Sequence, residues 1–323
     1  MYYDNHLAYD ATMKNVFVTL VLIATVFGSA CSGPDQADRR PPDARTILVT
    51  GATGTQGGAV ARELLNRGYA VRGLTRNPES ERAQAMAGLG AEMVKGDFDD
   101  AASLAAAMEG AYGVFAVTNF WEHGYVKEIA HGEKLINAAK AAGVKHFIFT
   151  SVSGADTFSG IPHFDSKGEI EEYLRNSGIN YSIVRPVEFM NNVSFYRKQI
   201  MTGTYYDPRD AARSHQWIAA SDIGFFVGEM FDGPDEWIGK ALDIAGDELT
   251  IAEYVDALSA TLGVNVHHQQ ISWEAYEKEA GEEMTIMVRW FDKKGYSVDV
   301  EALRQKYPDL LTYEQYLQSL DWN

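Results

Sequence analysis

The sequence predicts an α/β fold built on a doubly wound parallel sheet, with a smaller C-terminal α/β lobe. Three observations carry that expectation. From Arg45 onward, short β-prone runs alternate with helix-patterned segments at the spacing of βαβ units. The first unit runs from Ile47-Leu48-Val49-Thr50 through a Gly-rich turn, Gly51-Ala52-Thr53-Gly54-Thr55-Gln56-Gly57-Gly58, into Ala59-Val60-Ala61-Arg62-Glu63-Leu64-Leu65. The length of 323 residues leaves room for one large domain plus a small appended lobe.

In chain order, a strand over 47–50 precedes a helix over 59–66 that Gly68 closes as a stop signal. A second strand, 70–75, ends at Arg76-Asn77-Pro78 and is followed by a helix over 79–88. A third strand, 91–95, ends at Gly96-Asp97-Phe98-Asp99-Asp100, before a helix over 103–108. The fourth strand, 112–117, ends at Thr118-Asn119-Phe120-Trp121-Glu122, and a long helix near 126–142 stops at Gly143. The fifth, 146–150, ends at Ser151-Val152-Ser153, and 180–184 reads as the sixth. Right-handed crossovers between such strands give a Rossmann-type sheet. Thr250-Ile251-Ala252-Glu253 is a capping-box signature opening a helix over 251–262 in the C-terminal lobe. The expected division is a leader (1–31), a tether (32–44), a dinucleotide-binding domain (45–185) and a lobe (186–323) interleaved with the sheet.

Ligands of such sheets bind beyond the carboxyl ends of the strands, which selects the loops 51–57, 76–78, 97–100, 118–122 and 151–153. The first is suited to a phosphate. Its glycines let a pyrophosphate approach the backbone, and the helix N-terminus offers free N–H groups and the positive end of its dipole. Gly51, Thr53, Gly54, Thr55, Gln56 and Gly57 are the candidate contacts. Arg76 stands where an acid would pair with a ribose 2′-hydroxyl; a guanidinium suits a 2′-phosphate instead. NADP(H) is therefore expected in preference to NAD(H), against the plainer reading of Arg76 as a solvated loop charge. Asp97, with Phe98 beside it, is a candidate acceptor for the adenine amino group. Its alternative is a helix N-cap, a role for which Asp99 and Asp100 compete. Thr118, Asn119, Phe120 and Ser151 lie at the next strand ends, and Pro186 and Phe189 follow the sixth strand, toward the nicotinamide.

A second constellation is His163-Phe164-Asp165-Ser166-Lys167, opening a helix. Spacing of four puts His163 and Lys167 on one face. Lys167 could bond the nicotinamide ribose hydroxyls while its charge lowers the pKa of a neighbouring acid; the alternative is an exposed i,i+4 pair. Phe195, Tyr196, Tyr205, Tyr206, Trp217 and Trp237 are candidates for a substrate pocket or, more commonly, for core.

Together these residues resemble the atypical short-chain dehydrogenase/reductases, specifically the NmrA-like branch, over about residues 45–320. The resemblance rests on the 51–57 turn, Thr118-Asn119-Phe120-Trp121-Glu122, His163-Phe164-Asp165-Ser166-Lys167, Val184-Arg185-Pro186 and Ala245-Gly246-Asp247-Glu248-Leu249-Thr250. The second and third stretches look most like redox-sensor-type members that bind NADPH. The resemblance implies a departure too. Active short-chain dehydrogenases place a Tyr four residues before the Lys, whereas His163 stands there in this chain. His163 and Lys167 are the candidate catalytic residues, and Ser151 or Ser153 could supply the remaining hydroxyl. The implied role is an NADP(H)-binding sensor or regulator. The alternatives are an NADPH-dependent reductase of a small carbonyl or quinone, since some related reductases work with the Lys alone, and an exported scaffold that keeps the fold without cofactor.

The net charge of −17 argues against nucleic acid as a partner; a small-molecule substrate and a regulatory protein partner stay open. No metal cluster is expected, because the neighbouring His267 and His268 would diverge on a strand. Met13-Lys14, an apolar run over 16–27 and Gly28-Ser29-Ala30-Cys31 describe a secretory signal, too short for a permanent span. The stretch resembles a bacterial lipoprotein signal in which Cys31 becomes the lipidated terminus, although Gly28 stands where a larger aliphatic residue is usual. Met13 is then the more natural start. Loss of residues 1–30 removes two acids and one base, so −17 becomes −16. The segment 32–44, rich in Pro, Asp, Gly and Arg, reads as a flexible tether. The expected location is exported and membrane-anchored on the periplasmic or surface face, or cytoplasmic if the leader is not a functional signal.

Overall fold

The chain opens as a run of βα units whose strands collect into one sheet. A computed structural model describes residues 45–322; the leader, Cys31 and the tether lie outside the described residues. The units are β1 (Thr46–Val49), α1 (Thr55–Asn66), β2 (Ala70–Thr75), α2 (Glu81–Gly88), β3 (Glu92–Lys95), α3 (Ala101–Met108), β4 (Gly113–Ala116), α4 (Phe120–Ala141), β5 (His146–Thr150), α5 (Pro162–Asn176) and β6 (Tyr181–Pro186). After β6 follow β7 (Glu188–Phe189), α6 (Val193–Met201), β8 (Thr204–Asp207), β9 (Ser214–Ile218), α7 (Ala220–Asp232), α8 (Pro234–Trp237), β10 (Ala241–Ile244), β11 (Asp247–Thr250), α9 (Ile251–Leu262) and β12 (His267–Gln270). Of these, α7, α8 and β10 belong to the central sheet and its cover, and the rest form a smaller lobe. The last helices are α10 (Trp273–Ala280), α11 (Glu282–Lys293), α12 (Val300–Lys306) and α13 (Tyr313–Gln318).

The central sheet has the order β3-β2-β1-β4-β5-β6-β10, and every pairing in it is parallel. The chain reverses direction across the sheet between β1 and β4, which leaves a crevice at their carboxyl ends. β10 returns from the lobe to pair with β6, while β11-β9-β7 and β12-β8 form two small separate sheets.

Burial on both faces explains the apolar strands. Ile47 and Val49 belong to the core shared with Val60 and Leu64 of α1 and with Phe226 and Met230 of α7. Leu48, pointing the other way with the period-two alternation of a strand, joins Leu104, Leu135, Ile136 and Ile170 of α3, α4 and α5. The lobe has its own core around Met190, Trp217, Tyr254 and Tyr313. A further cluster joins Ile161 and Phe164 to Val288 and Phe291 of α11.

The α/β architecture is the expected one, with informative differences at helix starts. α1 begins at Thr55 rather than 59, because Gly57 and Gly58 lie inside the helix instead of preceding it. α4 begins at Phe120 rather than 126. Asn119 caps it, and Gly124 at φ 72° breaks it, so residues 120–123 form a separate turn. Only glycine adopts that φ cheaply. β6 runs on to Pro186, and α9 carries the expected Thr250/Glu253 capping box.

Candidate functional site

Backbone builds the first part of the site. Thr50 at the end of β1 is clamped to β4, its Oγ1 accepting from Val117 N at 2.8 Å and donating to Val117 O at 3.0 Å. The turn that follows is closed by Gly54 N donating to Gly51 O at 2.8 Å. A Cβ on Gly57 would sit 2.3 Å from Gly51 O, so the helix can approach the turn this closely only with glycine there. Gly54 gives α1 no side-chain cap, and the first turn holds no acid. Its leading N–H groups and dipole are thus left for an anion. Gly51, Gly54 and Thr55 are exposed and Thr53 and Gln56 half-buried; Gln56 Nε2 donates to Thr150 Oγ1 at 2.6 Å.

Arg76 sits just past β2, with its side chain 63% exposed. It is solvated but paired: its guanidinium takes Glu122 with both terminal nitrogens, Nη1 on Oε1 and Nη2 on Oε2, the latter at 3.2 Å. This contact to Arg76 is the largest cause holding the Glu122 carboxyl below its ordinary range. Asp97 is exposed and accepts from Asp99 N at 2.9 Å; the cap of α3 is Asp100, which accepts from Ala102 N and Ser103 N. Asp99 instead gathers Lys127, Lys134 and His131, and the ring of Phe98 lies 5.3 Å from that of His131.

At the other end of the crevice, side chains from distant elements meet. Glu128 of α4 is fully buried and accepts from Thr118 Oγ1 at 2.7 Å, from Ser166 Oγ at 2.5 Å and from Lys167 Nζ. Burial alone would push this carboxyl up. The Lys167 charge and these three donors outweigh it and hold the group below its usual range. Lys167 Nζ also lies 3.4 Å from Thr118 Oγ1. His163, 8% exposed, has Nδ1 2.5 Å from Glu283 Oε1, and the same oxygen accepts its backbone N–H at 3.2 Å. Glu283 therefore caps α5 across 120 residues of sequence, since Ile161 at the N-cap offers no side-chain bond. Burial lowers the His163 pKa, Glu283 opposes the shift, and the net position is below the ordinary value. The rings of Trp121 and Phe120 lie 4.8 and 5.6 Å from His163.

The exposed i,i+4 pair is overturned by this arrangement: His163 and Lys167 are largely buried, and each faces its own carboxylate. Ser151 is 5% exposed, and its Oγ has no hydrogen-bond partner among the described residues. The Ser153 hydroxyl instead serves Asp243. Pro186 is buried at the end of β6, and Phe189 is half-buried. Phe189, Tyr196, Tyr205 and Trp217 line a cavity of about 10 Å³ in the lobe, room for one water. Trp237 belongs to the sheet core, and Phe195 and Tyr206 are exposed. Among the described residues no group of three His, Cys, Asp or Glu could hold a metal, and no helix is long and apolar enough to cross a membrane.

Glu122, Glu128 and Glu283 carry no role in the sequence reading. For Glu128 a signal existed: it shares one face of α4 with Gly132, Leu135 and Ile136, and an acid on an apolar face needs a buried partner. Nothing local marks Glu283.

The fit to a dinucleotide rests on the glycine turn, which a Cβ would fill, and on the buried, unpartnered Ser151 hydroxyl. Comparison with known proteins agrees with this architecture. The model of the NmrA-like family matches residues 43–317. An NmrA-like family domain-containing protein of Dictyostelium discoideum is 31% identical over 300 residues, covering 86% of this chain and 98% of that protein. The triphenylmethane reductase of Citrobacter sp. complexed with NADP(H) superposes with a TM-score of 0.74 at 23% identity, over 85% of this chain and all of that one. NmrA, a negative transcriptional regulator in complex with NAD, gives 0.73 at 21% identity, over 87% and 99% of the two chains. These two structures share the fold.

Proposed function

The chain belongs to the NmrA-like family, and on that premise we propose that it binds NADP(H) at the carboxyl edge of its parallel sheet and acts as a sensor or regulator of cofactor state. The observation that carries this reading is the uncapped start of α1 beneath the 51–57 turn, where the backbone is shaped for a pyrophosphate. Arg76 would take the 2′-phosphate, Asp97 and Phe98 flank the adenine, and Thr118, Asn119 and Phe120 line the middle. Ser151, Lys167, Pro186 and Phe189 would surround the nicotinamide half. The two superposed proteins, one complexed with NADP(H) and one a regulator with NAD, support a dinucleotide without fixing which. The His163 substitution and the neutralisation of Lys167 by Glu128 favour holding the cofactor over using it. Calorimetric titration with NADPH and NADH tests the reading; absence of binding by both refutes it.

A second reading is favoured by one observation, the His163–Glu283 contact at 2.5 Å. The bound nicotinamide supplies a hydride in a reductase. His163, oriented by Glu283, would then hold the proton that a carbonyl or quinone oxygen requires. Because burial keeps this imidazole's pKa below its ordinary value, such activity would fall as pH rises toward neutrality. NADPH consumption with aldehydes or quinones, lost in His163→Ala, would replace the sensor reading by this one.

We also propose that residues 1–31 direct export and that Cys31 carries a lipid anchor, on the pattern of Lys14, the apolar run and Cys31. Mass spectrometry of the membrane fraction tests this, and an unmodified Cys31 would refute lipidation.

A further inference from the structure

Arg76 is already occupied, and what occupies it has the chemistry of the group it is expected to receive. Both terminal nitrogens of the guanidinium face the two oxygens of Glu122, the fork-to-fork geometry with which arginine also grips a phosphate monoester. Glu122 is aimed by the Asn119 side chain. Its N–H donates to Asn119 Oδ1 at 3.3 Å, and Asn119 Nδ2 donates to its Oε2 at 3.3 Å. The turn 120–123 that carries it is set apart from the rest of α4 by Gly124 at φ 72°.

We propose that Glu122 is a specificity-determining residue: an internal carboxylate that holds the place of the 2′-phosphate on Arg76 until a 2′-phosphorylated nucleotide displaces it. The inference rests on the reading that this sheet edge binds a dinucleotide. Exchange favours the phosphate, which brings about −1.5 to −2 charges against the single charge of the carboxylate. The pair is open to solvent, with Arg76 63% and Glu122 40% exposed, so it biases the site by no more than about fivefold. A nucleotide with a free 2′-hydroxyl has no charge with which to displace Glu122, and it binds with the pair intact. Glu122 thus lowers affinity for the phosphorylated ligand alone, through the fraction of protein in which Arg76 is free.

The test is titration of the full-length chain with NADPH and NADH in wild type, Glu122→Gln, Arg76→Ala and the double variant. Glu122→Gln should tighten NADPH by about three- to fivefold, leave NADH unchanged, and lose its effect in the Arg76→Ala background. An unchanged NADPH-to-NADH ratio in Glu122→Gln would overturn the inference, as would a gain that persists without Arg76. If both nucleotides bind and the ratio does not move, this inference alone fails. If neither binds wild type, the dinucleotide reading fails and takes the inference with it.

Discussion

The two ends of the crevice are built on opposite plans. At the end proposed to take the phosphates, the groups that matter are backbone: the 51–57 turn, the uncapped N-terminus of α1, and a glycine whose Cβ would strike Gly51 O at 2.3 Å. At the other end, they are side chains, and they come from far apart: Glu128 from α4, Lys167 and His163 from α5, Glu283 from α11. Backbone geometry is dictated by neighbours in sequence, so a local motif suffices to specify it. A buried charge is tolerated only with its partner, and that partner is chosen by the tertiary fold. The turn 120–123 belongs to both ends, since Glu122 grips Arg76 while Trp121 leans on His163.

If the contrast holds, disturbing backbone at the first end should cost binding, whereas disturbing charge at the second should cost stability. The largest effect belongs to Gly57→Val. The added side chain displaces the turn, and titration calorimetry should detect no nucleotide binding; wild-type affinity in this variant would mean the phosphate sits elsewhere. Glu128→Ala comes next. It strands Lys167 beside a buried void, and urea denaturation should show a loss of about 3–5 kcal/mol. A loss below about 1 kcal/mol would class the pair with exposed ones.

Arg76→Ala should weaken NADPH by roughly ten- to a hundredfold, the worth of hydrogen bonds to a charged group, and leave NADH alone. Equal weakening of both would remove Arg76 from the recognition of the 2′-phosphate. The smallest change is expected in Glu283→Gln. Glu283 raises the His163 pKa against burial, so neutralising it should move the imidazole titration, followed by NMR, further down. With the pKa lower, the ring charges only at more acid pH. An unmoved titration would show that Glu283 caps α5 without tuning His163.

The same contrast explains what the sequence reveals. The strand-helix alternation and the Thr250/Glu253 cap follow from local periodicity and local hydrogen bonds and stand where those rules put them, while the glycine turn is shorter than expected because α1 already starts at Thr55. The start of α4 does not, because Gly124 interrupts a helix that begins four residues earlier, at Phe120. Spacing placed His163 and Lys167 on one helix face but said nothing of their carboxylates. Glu283 lies 120 residues from His163, and no period in the chain links them.

The most direct measurement is calorimetric titration of the wild-type chain with NADPH and NADH side by side. Both should bind at one site, NADPH more tightly, because Arg76 gains a partner stronger than Glu122. Heats absent for both nucleotides would contradict this.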